Sequence, residues 1–425
     1  MPPPVHAGPV PARRRPSSHL RRAALAVAVT SAVVCLTGLV TGRVDVWPAA
    51  LVVTGFGVAA GLGALPRAAG YQYPAWLTAG VIAALVYPGA FDRWGGVRLA
   101  DRTVLTTVVQ LVMFGLATRA GRREFTGVLR RPRGLPVGLA GHYLVMPLGA
   151  FALVSVTDLP PEIGLGVILY GCVSSGLAST VMSMLARADL GLAVTITALS
   201  TLVAPLATPL LVRLLGGRIV DVDVVAMAFD VVSLTLVPVT AALLAEYLRT
   251  APLRVRLPAP GVAVLILLVA AWSTALVRLA AAILVAVLYA AAVRRRPALA
   301  RAMPYVSMAG ILFYTTVTTA AGRDALLDVG VTLVVVGLVH NLTGYVAGYW
   351  GARALGLDRA AARTTTFEVG MQNGGMATGL AASLGLLGTA GLAAAVFSPL
   401  GNLTGSMLAN YWSRRPVDDA PALRR

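Results

Sequence analysis

The sequence predicts an all-α membrane protein with many transmembrane helices, and three observations carry this prediction. Of the 425 residues, 57% are hydrophobic and only 12% are charged, and the mean hydropathy is +0.80. Apolar runs of roughly 16–25 residues recur along almost the whole chain, as membrane-spanning helices require. A β-barrel would instead alternate in segments of about 10 residues, and a soluble domain of this size would carry about twice as much charge.

The basic residues indicate topology. The formal net charge is +18, and the 35 basic residues, all arginine, gather in short loops and tails between the apolar runs. This is the positive-inside pattern. No basic patch is interleaved with stacking aromatic residues, so we expect contact with the lipid bilayer and no nucleic-acid partner. Cys35 and Cys172 lie in apolar runs and are too few for a disulfide framework or a metal cluster.

The first segment, residues 1–22, is rich in proline and arginine, which predicts a disordered basic tail. The apolar run 23–41 that follows has no small-residue cleavage site, so we interpret it as an uncleaved first span that starts in the cytoplasm. Together with the run 46–64 it gives two extra N-terminal spans before the main domain.

The run 259–293 is about 35 residues long, too long for one span. Arginines flank it on both sides, and the positive-inside rule places both flanks in the cytoplasm. We therefore expect a helical hairpin with its turn near "AWSTALVR" and Arg278 close to the outer surface, although a re-entrant hairpin is also compatible with the short length of each half. With this pair the chain has fourteen spans in the cytoplasmic (inner) membrane, and both termini, including the basic tail 413–425, are cytoplasmic.

One stretch near the C-terminus is unusually polar for a span. Residues 364–380, "TTTFEVGMQNGGMATGL", place Glu368 and Gln372 four residues apart on one helical face, followed by glycines that allow the helix to unwind. Charged residues within a membrane usually face a protein interior and serve function. A broken helix is tolerated at membrane depth only where it lines protein or water.

A second interrupted span lies about two hundred residues earlier. In "YGCVSSGLASTVMSMLA" an otherwise apolar helix is interrupted by small and polar residues, namely Gly171, Ser174, Ser175, Gly176, Ser179 and Thr180. Two interrupted helices at matching places in two halves of a chain predict an inverted-repeat transporter with its site near the bilayer midplane. Close helix packing is an alternative reason for the small residues, but it does not require Glu368.

These two regions, residues 159–217 and 340–380, resemble the signature regions of the bile acid:sodium symporter family, and the Glu-Val-Gly-Met-Gln-Asn motif at 368–373 is specific to it. The resemblance runs from about residue 73 to 412 and implies a core domain around two crossing discontinuous helices, with a panel domain beside it. Residues 23–64 and the hairpin 259–293 lie outside it. The ten family helices would be 73–90, 103–118, 136–157, 162–186, 190–215, 223–247, 303–320, 326–350, 363–386 and 389–411.

The resemblance also implies two sodium sites. The positions that match the first site are Ser179, Thr180, Ala193, Thr197 and Glu368. Those that match the second are His142, Glu368 and Gln372. The usual Pro-Gly-Gly crossing point is Ser174-Ser175-Gly176 here. We expect sodium at Glu368, Gln372, Ser179 and Thr197.

The chain departs from the family pattern at three of these positions. Thr180 replaces an asparagine, Ala193 replaces a serine and His142 replaces a glutamine. Alanine has no side-chain oxygen, and a histidine nitrogen is a poorer ligand for a hard cation than an amide oxygen. We therefore expect weak sodium coupling through at most one site, with protons contributing through Glu368 and His142, since burial shifts the titration of such groups. His142 as a hydrogen-bonded core residue is the alternative.

Together these features predict a secondary active transporter, in which sodium and/or protons drive symport of an organic anion. Ser174, Ser175, Asn373 and Gly374 are expected to face the substrate, because half-helix N-termini favour negative charge. The alternative is an uncoupled or proton-driven facilitator or exporter of organic anions with degenerate sodium sites. An enzyme is not expected, since the motifs of metallopeptidases and serine hydrolases are absent, and no cofactor beyond the coupling ion is implied. The oligomeric state is left open.

Overall fold

The computed structural model describes residues 18–66, 68–118, 133–269, 274–415 and 417. Most of both predicted tails and the turn of the predicted hairpin lie outside the described residues. The chain forms two compact units, Met1–Ile82 and Ala83–Arg425. The described residues are almost entirely helical, which confirms the predicted all-α polytopic class.

The first unit is built on a tight helical hairpin. Helix α1 covers Ser18–Val40 and α2 covers Trp47–Gly61. The two helices approach closely because α2 has glycine at the contact: a Cβ on Gly57 would lie 3.0 Å from the Cβ of Ala28. Helix α1 begins at Ser18, five residues before the predicted span, and Arg21 in this added turn donates to the carbonyl of Gly63 at 2.6 Å.

Helix α3 links the two units, and the remaining helices follow in chain order. A short β-hairpin precedes α4 and pairs Arg93–Trp94 (β1) with Val97–Arg98 (β2). The helices are α3 (Gln72–Val86), α4 (Arg102–Ala117), α5 (Gly134–Ser155), α6 (Pro161–Cys172), α7 (Leu177–Leu185), α8 (Leu190–Gly216), α9 (Val224–Thr250), α10 (Leu253–Arg256), α11 (Pro258–Val269), α12 (Thr274–Arg295), α13 (Ala298–Ala321), α14 (Arg323–Ala354), α15 (Arg359–Gly370), α16 (Gly374–Ser383) and α17 (Gly391–Ser413). Short 3-10 turns lie at Leu62–Ala64, Ala69–Tyr71 and Pro88–Phe91.

Among the described residues, seven helices are long and apolar enough to cross a membrane. Three shorter apolar helices, α3, α4 and α6, fall below that length. Several of the remaining predicted spans are divided by a break or adjoin residues outside the described part of the chain. The total of fourteen spans and the orientation of the termini therefore stay predictions, whereas the multi-pass membrane class is confirmed.

Both predicted helix breaks are present. Helix α6 ends at Cys172 and α7 begins at Leu177, and α15 ends at Gly370 while α16 begins at Gly374. Each break is three or four residues of extended chain, and each lies where glycine, serine and polar residues interrupt the apolar run. The residues of both breaks are buried, as are most residues of α6, α15 and α16, so the breaks are shielded by protein as membrane depth requires. On α7, Val181, Met184 and Leu185 are exposed.

Two further helices contain π-helical turns that the sequence pattern did not reveal. In α5 the π turn is Gly141–Val145 and includes His142. In α9 it is Val232–Leu236, where the Gln110 amide donates to the carbonyl of Ser233 at 2.9 Å. A π turn leaves carbonyl groups without their usual helical partner, and a side chain from a neighbouring helix here supplies one.

The region 259–293 forms two helices, α11 and α12, and we call this pair the inserted hairpin. Helix α12 packs along α9 in parallel through small residues, Ala282, Ala286 and Ala290 against Ala241, Ala242 and Ala245. Small side chains allow backbones to approach closely in membranes. At the ends of these two helices Arg294 donates to the carbonyl of Leu248 at 3.0 Å, which fixes their register.

Asp230, an acidic residue in the first half of α9, is held in an ion pair. Its carboxylate accepts from the Arg102 guanidinium at 3.0 and 3.3 Å, and the Arg102 side chain is more than half exposed. Asp230 therefore joins α9 to the first turn of α4.

Candidate functional site

The two broken helices cross at a backbone bridge. The Gly176 N–H donates to the carbonyl of Met371 at 3.0 Å, and the Asn373 N–H donates to the carbonyl of Ser174 at 2.9 Å. This is an antiparallel pairing of Ser175 with Gln372. The extended backbone in each break thus satisfies the polar groups of the other. The approach is so close that a Cβ at position 176 would lie 2.7 Å from the Gln372 carbonyl oxygen, so only glycine fits there.

Glu368 lies one turn before its helix break, fully buried, and three hydroxyl groups converge on its carboxylate. The Ser179 hydroxyl donates to Oε1 at 2.6 Å. The hydroxyls of Ser175 and Thr197 donate to Oε2 at 2.8 and 2.6 Å. These partners come from the first break, from α7 and from α8, so the carboxylate of one broken helix is surrounded by groups from the other half of the unit.

Further oxygen atoms extend this group. The Thr180 and Thr197 hydroxyls lie 3.2 Å apart, and the Ser175 and Ser179 hydroxyls lie 3.3 Å apart. With the two oxygens of Glu368, six side-chain oxygen atoms are thus linked through short contacts. Within the described residues, no basic side chain forms an ion pair with this carboxylate.

This donor set fits a hard monovalent cation. Such ions bind several oxygen ligands, and hydroxyl groups can rotate so that their lone pairs face an ion instead of their hydrogens facing the carboxylate. A buried carboxylate also needs a compensating charge. The matched position Ala193 is fully buried on α8 but contributes no side-chain oxygen.

The Gln372 side chain presents an oxygen for which the described part of the chain offers no hydrogen-bond partner. Its amide nitrogen donates to the Val369 carbonyl at 3.1 Å, and its buried Oε1 has no hydrogen-bond partner among the described residues. A buried polar atom left unpaired is costly, so an unpaired oxygen beside the crossing points to a further partner.

His142 lies between the two breaks. Its Nδ1 is 2.9 Å from the Glu368 carbonyl oxygen, and its Nε2 is 2.9 Å from the Val173 carbonyl oxygen. Both ring nitrogens therefore face acceptors, and the side chain does not reach the Glu368 carboxylate. A neutral imidazole has one N–H group and can donate to only one of these carbonyls, whereas the protonated ring can donate to both.

Four residues expected on the substrate side occupy different positions around the crossing. The Asn373 side chain caps α16 by accepting from Met376 N at 3.1 Å, and its amide lies 3.5 Å from the Ser174 hydroxyl. Gly374 is the first residue of α16 and lies against the Ser398 hydroxyl. Ser175, in contrast, contacts the Glu368 carboxylate directly and lies among the oxygen atoms that surround it.

Some residues that the sequence motifs did not identify bind the ends of the half-helices and support the site. The Asn341 amide donates to the carbonyl of Gly370, the last residue of α15, at 2.8 Å. Ser200 accepts from the Ser175 N–H at 3.3 Å. Arg363 is buried, and its guanidinium donates to the carbonyls of Ala186 and Arg415 at 3.1 and 2.8 Å, where α7 and α17 end. Arg363 thereby fixes α7, which carries Ser179, against the helix that carries Glu368.

These features define the class of protein. A multi-pass helical unit with two discontinuous helices that cross beside a buried, oxygen-rich carboxylate is a membrane transporter, and no enzyme is indicated. The sodium bile acid symporter family model matches residues 106–290, in agreement with the resemblance seen in the sequence.

Three similar proteins illustrate the relationship. An uncharacterized sodium-dependent transporter of Bacillus subtilis, YocS, is 29% identical over 348 residues, which cover 82% of this chain and 92% of that protein. A probable chloroplastic sodium/metabolite cotransporter of Arabidopsis thaliana, BASS1, is 27% identical over 345 residues, which cover 80% of this chain and 73% of that protein. The human ileal sodium/bile acid cotransporter is 26% identical over 275 residues, which cover 64% of this chain and 66% of that protein.

Proposed function

We propose that this chain is a cation-coupled symporter that uses sodium to carry an organic anion across the cytoplasmic membrane. One observation carries the proposal: three hydroxyl groups from the first broken helix and α8 converge at 2.6–2.8 Å on the carboxylate of Glu368. The names of the similar proteins, two of them sodium cotransporters and one a sodium-dependent transporter, support sodium as the ion.

Sodium would be held by side chains from both halves of the unit. Glu368 supplies the charge, and Ser175, Ser179 and Thr197 supply neutral oxygens, with Thr180 beside them. The ion would compensate the buried carboxylate and also link the two broken helices. Binding of the ion would thus stabilise the crossing in the geometry that receives the substrate.

A single sodium fits these residues better than two. Ala193 gives no side-chain oxygen to the first of the two predicted sodium sites. At the second predicted site, His142 occupies the position where a neutral oxygen ligand is expected. Gln372 offers one free side-chain oxygen there. We propose that a proton takes part in place of the second ion. The doubly protonated imidazole would donate to the carbonyls of Glu368 and Val173 together, one in each broken helix.

The organic anion would bind at the N-terminal ends of α7 and α16, which both begin at the crossing. Helix N-termini present free N–H groups and a partial positive charge, which suits a carboxylate or sulfonate. Ser174, Asn373 and Gly374 lie at these ends and would contact the polar head of the substrate. The substrate class is therefore an anionic, bile-acid-like amphipath or a smaller organic acid.

The departures at Ala193 and His142 also favour a second candidate function. In this alternative the same fold works as an uncoupled or proton-driven facilitator or exporter of organic anions. It shares the anion site with the first candidate but predicts no dependence of transport on a sodium gradient.

The experiment that separates the two begins with the purified full-length protein. Bile acids, alkyl sulfonates and short carboxylic acids are screened for an increase in melting temperature in sodium chloride and in potassium chloride, since any ligand of the native state raises stability. The best anion is then followed into proteoliposomes with an inward sodium gradient. We expect sodium-dependent binding and accumulation above equilibrium. Equal binding and no accumulation in either salt would favour the uncoupled alternative.

A further inference from the structure

Seven arginines gather at one end of the inserted hairpin, and the transport site does not involve them. Helix α9 ends at Thr250, α11 begins at Pro258, α12 ends at Arg295 and α13 begins at Ala298, so these four helix ends lie on one side. We call the following residues the arginine cluster: Arg249, Arg254, Arg256, Arg294, Arg295, Arg296 and Arg301. The only acidic residue between positions 246 and 301 is Glu246.

Contacts in the structure bring the cluster together. Arg294 binds the Leu248 carbonyl at 3.0 Å, which ties the ends of α12 and α9. The single turn α10 is held against these two helices by Val255, which packs on their shared apolar contact. Arg254 and Arg256 flank Val255 in that turn, so they are fixed beside the ends of the helices and do not belong to a free loop.

Most of this positive charge is uncompensated within the described part of the chain. Arg249 pairs with Glu246 at 2.5 Å, and Arg294 uses the Leu248 carbonyl. The other five form no ion pair among the described residues. Arg256 is the most informative, because its Nε is buried and has no hydrogen-bond partner in the described part of the chain. The Arg256 side chain is only half-buried and no hydrogen bond of its guanidinium occurs among the described residues, so its outer N–H groups are left for an acceptor outside the protein.

The surroundings of Arg256 indicate what that acceptor is. Leu253 and Leu257, on either side of the two arginines of α10, are 60% and 69% exposed. Their turn lies where the apolar helices end, which is the level of the lipid headgroups. Arginine beside exposed leucine at that level is the combination that binds an anionic headgroup and the first part of its acyl chain. A soluble phosphate would gain nothing from the leucines.

We propose that the arginine cluster is a binding site for an anionic phospholipid, with the lipid phosphate accepting from Arg256 and its neighbours and the acyl chains lying along Leu253 and Leu257. The inserted hairpin then has a physical role: it extends the domain by a lipid-anchored element. The positive-inside rule predicts that this side is cytoplasmic.

The test uses the purified full-length protein and measures its melting temperature against added phosphatidylglycerol, phosphatidylcholine or inorganic phosphate. We expect phosphatidylglycerol to raise the melting temperature of the wild type, and phosphatidylcholine and inorganic phosphate to leave it unchanged. Each arginine near a headgroup contributes about 1 kcal/mol, or roughly five-fold in affinity, so Arg256→Gln with Arg295→Gln should raise the dissociation constant for phosphatidylglycerol about 25-fold. The matched control is Arg359→Gln with Arg414→Gln, two arginines of other segments, and it should leave the constant unchanged.

Several outcomes would overturn the proposal. Equal weakening in the control pair would show general surface electrostatics and no site. Equal stabilisation by phosphatidylcholine would remove the role of charge, and equal stabilisation by inorganic phosphate would replace the lipid by a soluble anion. If the double variant does not fold, the single variant Arg256→Gln tests the proposal, and its affinity for phosphatidylglycerol should be about five-fold weaker than that of the wild type.

Discussion

The Ser179 hydroxyl donates to the Glu368 carboxylate at 2.6 Å, although 189 positions separate the two residues in the chain. The contact exists because the two broken helices cross, with their breaks joined by backbone hydrogen bonds. It links the first broken helix directly to the carboxylate of the second, and the first predictions follow from it.

The first prediction concerns the charge of Glu368. Glu368→Gln keeps the shape of the side chain and removes the charge that balances the ion, so we expect a folded protein with no gradient-driven accumulation. Removing one partner of a buried charge pair costs about 3–5 kcal/mol, which corresponds to a sodium affinity at least about 100-fold weaker. Uptake into proteoliposomes and sodium titration of the melting temperature measure this. Glu246→Gln, which removes a carboxylate far from Glu368 in the sequence, is the control and should transport at the wild-type level. Accumulation by Glu368→Gln at the wild-type level would contradict the assignment.

The second prediction concerns the hydroxyl ligands. Thr197→Val removes the hydroxyl that contacts Glu368 and keeps the side-chain volume, and hydrogen bonds to a charged group contribute about 1.5–3 kcal/mol. We expect the sodium concentration for half-maximal transport to rise about ten-fold or more. Thr195→Val is the matched control, because Thr195 is buried on the same helix and its hydroxyl, among the described residues, donates to the Gly191 carbonyl and not to Glu368. In the Glu368→Gln background the effect of Thr197→Val on sodium binding should disappear. An equal effect of both threonine variants would indicate general damage to α8.

The third prediction concerns the backbone crossing. Gly176→Ala places a Cβ 2.7 Å from the Gln372 carbonyl oxygen, so the two breaks must separate. Overpacking of this kind costs about 1–3 kcal/mol, and we expect a lower melting temperature and loss of sodium stabilisation. Gly351→Ala is the control, since a Cβ at position 351 would meet no atom within 4 Å and alanine is favoured in a helix. A Gly176→Ala protein that binds sodium normally would show that the crossing is looser than the structure indicates.

The fourth prediction concerns His142. If one sodium and a proton drive transport, uptake shows a shallow, non-cooperative sodium dependence and increases when the outer solution is acidified. His142→Gln places an amide oxygen at the second predicted sodium site, so the sodium dependence of uptake should become steeper and its response to pH should weaken. His340→Gln is the comparison, because His340 is also buried and binds a backbone carbonyl, that of Met146 at 3.0 Å, but does not contact either break. Steep, cooperative sodium dependence and no response to pH in the wild type would rule out the proton proposal.

The fifth prediction concerns the topology of the inserted hairpin. Single cysteines at positions 252, 278 and 296, introduced after Cys35 and Cys172 are replaced by alanine, report the side of the membrane through an impermeant thiol reagent in intact cells. We expect position 278 to react from outside and positions 252 and 296 only after permeabilisation. Labelling of 252 and 296 from opposite sides would make this region a single crossing and would invert every later span.

The sequence alone singled out Glu368 as the charged residue of the candidate site but did not give the contacts that its carboxylate makes in the structure. Glu368 and the two breaks were predictable because a carboxylate and clustered glycines are unfavourable in an apolar helix unless they serve a purpose. Ser179, Thr180 and Thr197 followed from the family resemblance, and the structure brings their hydroxyls together near Glu368.

The residues that were missed are those whose roles depend on tertiary contacts. Ser175 was expected to face the substrate, but the direction of its side chain is set by the bridge with Gln372, which no local pattern reveals. The π turn at His142 has no sequence signature, and it is this turn that carries the imidazole between two carbonyls. Arg363 resembles any other arginine near a helix start, and only the fold shows that it binds the ends of two helices.

The bridge at the crossing is made by main-chain atoms, and this has a consequence for how such a protein can diverge. Both hydrogen bonds use backbone groups of Ser174, Gly176, Met371 and Asn373, so side chains at 174, 175 and 372 can change while the helices still cross. Side chains around the crossing can therefore be exchanged without a change in the scaffold that holds the two helices together. The polar groups offered to a bound ion or substrate are then set locally by the sequence, whereas the crossing itself depends on the main chain.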